Sequence, residues 1–430
     1  MRIIIVGAGI AGLSTALSLE AAGFTDITIY ERTGQVRGLG VGLNLLPHAV
    51  RELTELGLKD RIEALGVEPT ALAYFNRFGQ PIWSEPRGTT AGYAWPQLSV
   101  HRGELQLMLL AAVTERLGDI VRTGHRLIEV ADGDDTTVTF ETATGPVTEN
   151  ADLIIGADGI HSSLRQLRYP DEGAPPWSGL TLWRGTARIP QFLDGATMVM
   201  TGDGDQKFVA YPLEAAGTDG TQRVNFIAEH RAPGSPGADW NRTVDPAPIV
   251  ELFQDWRYDW FDVPATIAAA EEILEYPMVD RDALPQWTFG QTTLVGDAAH
   301  AMYPNGSNGG SQAILDARTL AFELATAVGG SAPTNTDDRA GRAAAIARAL
   351  ESYETKRRPA TATLLEMTRQ TGPERVMLLA RERAPEGFAD IDDVISLAER
   401  EQIALSYKQA AGFDPAMLAE RSSLTVEARA

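Results

Sequence analysis

The chain has 430 residues, too many for one small core; at roughly 150 residues per domain it divides into two or three. Its net charge of −21 opposes phosphate backbones and anionic lipid, so neither nucleic acid nor a membrane surface is expected as a partner. The absence of cysteine excludes disulfides, thiolate metal sites, iron–sulfur clusters and cysteine nucleophiles, and 44% hydrophobic against 22% charged residues excludes wholesale disorder. In chain order, Arg2-Ile-Ile-Ile-Val6 reads as a strand buried on both faces. A glycine-rich turn and a helical pattern over 13–22 follow, stopped by Gly23, and 27–30 reads as a second strand ending at Glu31. The start runs straight into this βαβ pattern with no leader-like segment, and no stretch reaches the ~18 apolar residues of a membrane span, so a cytoplasmic location is expected.

Helical spacing recurs over 45–56 and 102–117, with a hairpin pattern at 72–78 and 81–84 around Gly79-Gln80. Short strands are expected at 127–130, 136–142 and 151–155, and an antiparallel sheet from 180–189, 197–200, 207–213 and 223–229. After Pro246 the chain reads as helical until a strand at 291–295, followed by a helix over 309–328. From Asp337 to Lys408 it is helix-friendly with one break near Arg358-Pro359, and the last dozen residues read as frayed. Loops are expected at 217–220 and 232–238, and a linker at 329–336. The expected fold is therefore α/β: a Rossmann-like dinucleotide-binding domain in three separated pieces, interleaved with a β-rich substrate domain and followed by C-terminal helices. Its boundaries are drawn at 1–75, 101–178 and 281–372 for the nucleotide domain, 76–100 for a substrate-domain hairpin, 179–280 for the β-rich domain and 373–430 for the helical region.

Three strings carry chemistry. Gly7-x-Gly9-x-x-Gly12 follows a strand and opens a helix, with Glu31 nineteen residues after Gly12. Those glycines permit a tight turn, backbone approach to a pyrophosphate and close helix–strand packing, and Glu31 is placed to accept ribose hydroxyls. Leu153-Ile-Ile-Gly156-Ala-Asp158-Gly159 ends a strand in Gly-x-Asp-Gly; by itself this Asp158 reads equally as a structural residue at a strand end. Thr293-Leu-Val-Gly296-Asp297-Ala-Ala-His300 continues through Pro304, Gly306 and Asn308-Gly309-Gly310 into a helix. That arrangement delivers one carboxylate toward a polyol and aims a helix N-terminus at an anion.

With these strings in this order, the chain resembles the FAD-dependent aromatic hydroxylases, the single-component (group A) flavoprotein monooxygenases typified by p-hydroxybenzoate hydroxylase. The likeness spans roughly residues 1–375. Further strings, Gly38-Leu-Gly-Val-Gly-Leu-Asn44, Trp83-Ser-Glu-Pro-Arg-Gly88, Trp183-Arg-Gly185 and Tyr276-Pro-Met-Val-Asp-Arg-Asp282, are similar to the phenazine hydroxylase branch, the 5-methylphenazine-1-carboxylate 1-monooxygenases. The resemblance implies non-covalent, tightly held FAD bound through Gly7, Gly9, Gly12, Glu31, Arg32, Val41, Arg102, Asp158, Asp297, Asn308, Gly309 and Gly310. Asp158 would serve both the pyrophosphate region and NAD(P)H, which has no second glycine fingerprint and would bind transiently. Reduced flavin and O2 would give a C4a-hydroperoxide, with the Pro304, Asn308 and Gly309 loop shaping the oxygen site. No catalytic side chain is assigned.

The expected substrate is a small aromatic, phenazine-like or polycyclic, hydroxylated with or without loss of CO2. Leu43, Trp183, Arg184, Tyr211, Tyr303 and Pro304 are the candidate pocket. The alternative is an FAD-dependent epoxidase or oxidase acting on a non-aromatic secondary metabolite. No metal is expected, because the six histidines show no ligand spacing and each reads as a capping or solvent residue. A monomer or homodimer is expected.

Overall fold

The computed structural model describes residues 1–38, 40–133, 136–231, 242–329 and 339–426. Leu39 of the glycine string, the expected loop at 232–238, the linker from 330 onward, Asp337 and the tail 427–430 lie outside the described residues.

The all-apolar run Ile3–Val6 forms a fully buried strand, as its uninterrupted branched side chains require. It is the centre of a five-stranded parallel sheet in the spatial order Thr292–Leu294, Leu153–Gly156, Ile3–Val6, Ile27–Tyr30, Val121–Arg122. The order reverses between Ile3–Val6 and Leu153–Gly156, so the crevice beyond the carboxyl ends of these two strands is the topological switch point. Val6 pairs in register with Gly156, and Gly156 with Leu294. The three chemistry-bearing strings, spread over nearly 300 positions, are therefore the neighbouring loops at one edge of one sheet. Helices Ile10–Ala21, Arg102–Leu117, Gly309–Gly329 and Arg339–Arg369 pack around this sheet. A three-stranded meander, Arg126–Ala131, Thr136–Thr142 and Gly145–Ala151, lies beside it, with Phe140 stacked on Tyr30 at 4.1 Å.

The β-rich part is an eight-stranded sheet in the order Arg242–Thr243, Ala270–Val279, Trp177–Pro190, Thr221–Arg231, Gln206–Pro212, Met198–Gly202, Ala71–Phe75, Pro81–Pro86. It is antiparallel except for one parallel pair, Met198–Gly202 with Ala71–Phe75. Strand alternation gives it two faces. Phe208, Phe226 and Ala73 pack outward under the short helices Ala247–Leu252 and Val263–Ala268. Met200, Val209, Tyr211 and Ile227 point the other way, and part of that face is covered by helix Arg375–Arg383.

Several expectations need correction. The hairpin starts at Ala71, ahead of the 75/76 boundary, because Ala71–Phe75 pairs with Met198–Gly202 rather than with the nucleotide domain. The stretch after Pro246 is not helical throughout: Ala270–Val279 is a strand, its helix-favouring Ala, Glu and Leu overridden by pairing with Trp177–Pro190. Helix Arg339–Arg369 runs through Pro359 without a break and ends at Arg369, two residues before Thr371 adopts a φ of +70°. The residues after 418 are tied down up to 426: Asp414 caps helix Pro415–Glu420, and Ser423 and Thr425 bond to Glu55.

Candidate active site

A cleft of about 270 Å³ opens at the switch point, between the glycine turn, the Gly309 helix and the inner face of the large sheet. Gly7, Gly9 and Gly12 divide the labour that their spacing predicts. Gly7 has φ +107°, and a Cβ there would stand 2.5 Å from the Ala157 carbonyl oxygen; a Cβ on Gly12 would stand 2.0 Å from the Gly7 oxygen. Both are packing glycines. Gly9 alone lines the cleft, and nothing lies within 4 Å of where its Cβ would be, so its backbone is open to a ligand. Glu31 Oε2 accepts the Ala8 N–H at 2.9 Å, and Oε1 accepts the Thr33 N–H at 2.9 Å, which fixes the acid beside the turn. Arg32 is exposed beside it.

Asp297 projects into the same cleft from the first position of the Asp297–His300 turn. Sequence reasoning missed what holds it. Asp316, wholly buried one face below, accepts the Gly296 N–H at 2.9 Å, meets His300 Nε2 at 2.5 Å and accepts Arg357 Nε at 2.7 Å. Burial pushes the Asp316 carboxyl up, but His300 and Arg357 outweigh it and hold the group below the usual carboxylate range. The visible signal was an aspartate inside an apolar helical stretch. His300 and His48 are both buried, which corrects their reading as capping or solvent residues; His101 does cap the Arg102–Leu117 helix.

Arg102 lines the cleft opposite Asp297. Burial lowers its pKa, offset in part by the Asp297 charge. The Arg102 N–H is anchored by the Val41 carbonyl at 2.9 Å, which is how buried Val41 serves the site. A Cβ on Gly40 would be 3.4 Å from the Arg102 side chain. Gly309 and Gly310 open the Gly309–Gly329 helix on the cleft wall, with a Cβ on Gly309 falling 3.9 Å from Asp297 Oδ1. Asn308 also lines the cleft, but its side chain is committed inward: Oδ1 accepts Gln312 Nε2 at 3.1 Å and Nδ2 reaches the Tyr407 hydroxyl at 3.4 Å. Asp158 is turned away from the cleft. It accepts the Ser162 hydroxyl at 2.5 Å and the Ser163 N–H at 2.6 Å, capping helix Ser163–Arg168, and burial raises its carboxyl pKa. Its neighbours Ala157 and Gly159 line the cleft instead.

Of the candidate pocket, Leu43, Arg184, Tyr211, Tyr303 and Pro304 converge on this cleft. Trp183 does not. Successive strand residues face opposite ways, so with Arg184 inside, Trp183 lies on the outer face, where Nε1 donates to Glu275 at 2.9 Å. Arg184 Nη2 donates to the Gly42 carbonyl at 3.1 Å, and the Gly42 N–H donates to Asn225 Oδ1 at 2.6 Å, clamping the strand Gly42–Leu45 to the sheet. Met200, Val209, Ile227, Glu229, Asn305 and Glu374 complete the lining and were not singled out from sequence. Alternation along 198–202, 206–212 and 221–231 places the first three; the position of Glu374 depends on a tertiary fold-back.

An open-backbone glycine, a helix N-terminus and one carboxylate at a switch point fit a dinucleotide's pyrophosphate and polyol. The FAD binding domain family matches residues 1–368. The chain belongs to the FAD-dependent aromatic hydroxylases. It is 40% identical over 380 residues to the phenazine 1,6-dicarboxylic acid hydroxylase PhzS of Lysobacter antibioticus, covering 85% of this chain and 89% of that one. It is 31% identical over 381 residues to the 3-amino-4-hydroxybenzoate 2-monooxygenase of Streptomyces cremeus, covering 87% of each. The fold matches that of Klebsiella pneumoniae HpxO complexed with FAD and uric acid, with a TM-score of 0.69, 23% identity, and 96% and 92% of the two chains covered. The enzyme is thus an FAD-dependent monooxygenase acting on a small aromatic molecule, which sets aside the epoxidase or oxidase alternative. Among the described residues no helix is long and apolar enough to cross a membrane.

Proposed function

We propose that this hydroxylase acts on a planar aromatic of two or three fused rings, with NAD(P)H as reductant and, where the attacked carbon bears a carboxylate, with release of CO2. The supporting observation is the cleft floor. Arg184, Ile227, Val209 and Met200 stand in one row across four strands of the sheet, a cation at one end of an apolar band. Leu43, Met302 and Tyr303 face that band from the nucleotide domain. Such a slot favours a flat apolar ring system by area, and the guanidinium offers a partner for a carboxylate. The similarity to a phenazine dicarboxylic acid hydroxylase supports the same class.

Bound FAD would supply electron transfer from NAD(P)H and activation of O2. Gly9, Asp297, Arg102 and the Gly309–Gly310 backbone would hold it, and the Gly309 helix would stabilise negative charge at its N-terminus. Asp158 acts on NAD(P)H through the helix it caps, by holding the Ala157–Gly159 loop at the cleft edge. Pro304 and the loop to Asn308 exclude water from the space above the rings. The chain has no cysteine, and His48 and His101 lie in no attachment motif, so the flavin is expected to be held non-covalently. The test is NAD(P)H consumption under ¹⁸O2 with phenazine-1-carboxylate beside 4-hydroxybenzoate. Label is expected in the phenazine product; label only in the monocyclic product rejects the polycyclic reading.

A further inference from the structure

The same inner face of the sheet continues one row beyond the apolar band, and that row is charged. Glu229 stands opposite Leu182 on one side and Lys207 on the other, two residues from Ile227 and hence about 7 Å along the strand. Lys207 Nζ lies 3.0 Å from Glu229 Oε2 and 2.5 Å from Glu374 Oε2, Glu374 arriving from the turn after the long Arg339–Arg369 helix. All three are more than nine-tenths buried, and both glutamates line the cleft. Two carboxyl groups share one ammonium, so each uses one oxygen on Lys207 and the pair keeps acceptor capacity at the others. A second observation is independent of this trio. Asn305, on the same cleft wall and 6% exposed, donates its Nδ2 to the Thr368 carbonyl at 3.1 Å, while its Oδ1 has no hydrogen-bond partner. A buried acceptor left unmatched in a ligand cleft calls for a donor.

We infer that Glu229, Glu374 and Asn305 form an acceptor end of the substrate cleft that selects a ring bearing a hydrogen-bond donor (a hydroxyl, an amine or a protonated ring nitrogen) and turns any anionic substituent toward Arg184. The inference rests on the aromatic-substrate reading and adds its polarity: the ring system lies across Val209, Ile227 and Met200, donor at the acid row. Glu229 and Glu374 are specificity residues that touch the substrate, and Lys207 is a positioning residue that holds the two carboxyl groups side by side. Site polarity of this kind discriminates strongly, because an analogue lacking the donor leaves buried acceptors unmatched.

The test uses the FAD-loaded enzyme and flavin-absorbance titrations with 1-hydroxyphenazine, 1-methoxyphenazine and phenazine-1-carboxylate. The unmodified enzyme is expected to prefer the hydroxyl over the methoxy compound by about tenfold or more. Glu374→Met removes one acceptor and leaves Lys207 charge-balanced against Glu229; it should bring the ratio near unity and tighten phenazine-1-carboxylate. Glu374→Gln, which keeps the side-chain shape, provides a second variant with the same direction of change, and flavin content reports folding of both. An unchanged hydroxyl-to-methoxy ratio in the two variants overturns the inference, as does tighter binding of the methoxy compound by the unmodified enzyme. If the natural ring is monocyclic, the same ratio is read with 4-hydroxybenzoate against 4-methoxybenzoate, so failure of the polycyclic reading and failure of the acceptor end give different results.

Discussion

Asp297 stands at the N-terminus of the Gly309 helix, on a turn whose backbone is held from below by Asp316. Its side chain lines the cleft and is the one proposed to hold the cofactor, whereas Asp316 only fixes where it stands. A charge-assisted hydrogen bond of this type contributes about 1.5–3 kcal/mol, so Asp297→Ala should weaken FAD binding roughly ten- to hundredfold, measured by equilibrium titration of the apoprotein. Unchanged affinity would remove Asp297 from the cofactor site. Asp158 illustrates the opposite case at the same scale. Its Gly-x-Asp-Gly string looks like a ligand-binding element, yet its carboxylate is spent on the Ser163–Arg168 helix. Ser162 is the N-cap of that helix and Asp158 supports it, so Asp158 bears on the cleft through backbone placement and not through contact.

Between elements, the decisive joint is the strand Gly42–Leu45 against the large sheet. Gly42 is needed there for space: a Cβ would come within 2.6 Å of both Asn225 Cβ and Tyr211 Cε2. Its N–H and carbonyl are both taken, by Asn225 and Arg184, from the sheet. Gly42→Ala would push the two layers apart at the wall of the cleft. Overpacking of this kind costs about 1–3 kcal/mol. The expected result is a lower denaturant midpoint together with weaker substrate-stimulated NAD(P)H oxidation. A variant with unaltered stability and turnover would show that the joint is not tight. The glycine-rich string 38–44 is therefore a seam between domains: Gly40 gives way to Arg102 and Gly42 to the sheet.

At the scale of the whole molecule, the C-terminal region after 368 closes the site although it lies beyond the matched FAD-binding family. It supplies Glu374 to the cleft, and Tyr407 to the loop from Pro304 to Asn308, where its hydroxyl donates to the Asn305 carbonyl at 3.3 Å. Its last turns dock on the first domain: Arg421 pairs with wholly buried Glu52, which also meets Arg318 at 3.2 Å, and Phe413 stacks on His48 at 5.3 Å. Burial, helped by the positive charges of Arg421 and Arg357, holds the His48 pKa down at about 3. Between pH 6.5 and 3 the unfolded chain therefore binds a proton at this position that the folded chain does not. Stability should fall as pH drops below 6.5, by about 1.4 kcal/mol per pH unit from this group. His48→Gln should flatten that part of the profile relative to the unmodified enzyme in thermal unfolding at pH 7, 6 and 5; parallel profiles would contradict it.

The amino-acid sequence by itself determined the nucleotide half. Buried parallel strands show as unbroken branched-apolar runs, and a glycine turn must sit where its backbone and spacing allow, so Gly7, Gly9, Gly12, Glu31 and Asp297 were legible one by one. Alternation also made the core of the large sheet legible, but not which of its faces meets the cofactor. That choice separated Arg184 from Trp183, and only packing against Gly42–Leu45 and helix Arg375–Arg383 made it. The strand Ala270–Val279 and the acceptor row at Glu229 and Glu374 were decided by tertiary structure for the same reason. Ala270–Val279 pairs with the distant strand Trp177–Pro190 and Glu374 reaches Lys207 from far along the chain, and the energy that fixes each is pairing and burial between segments, which local sequence does not encode.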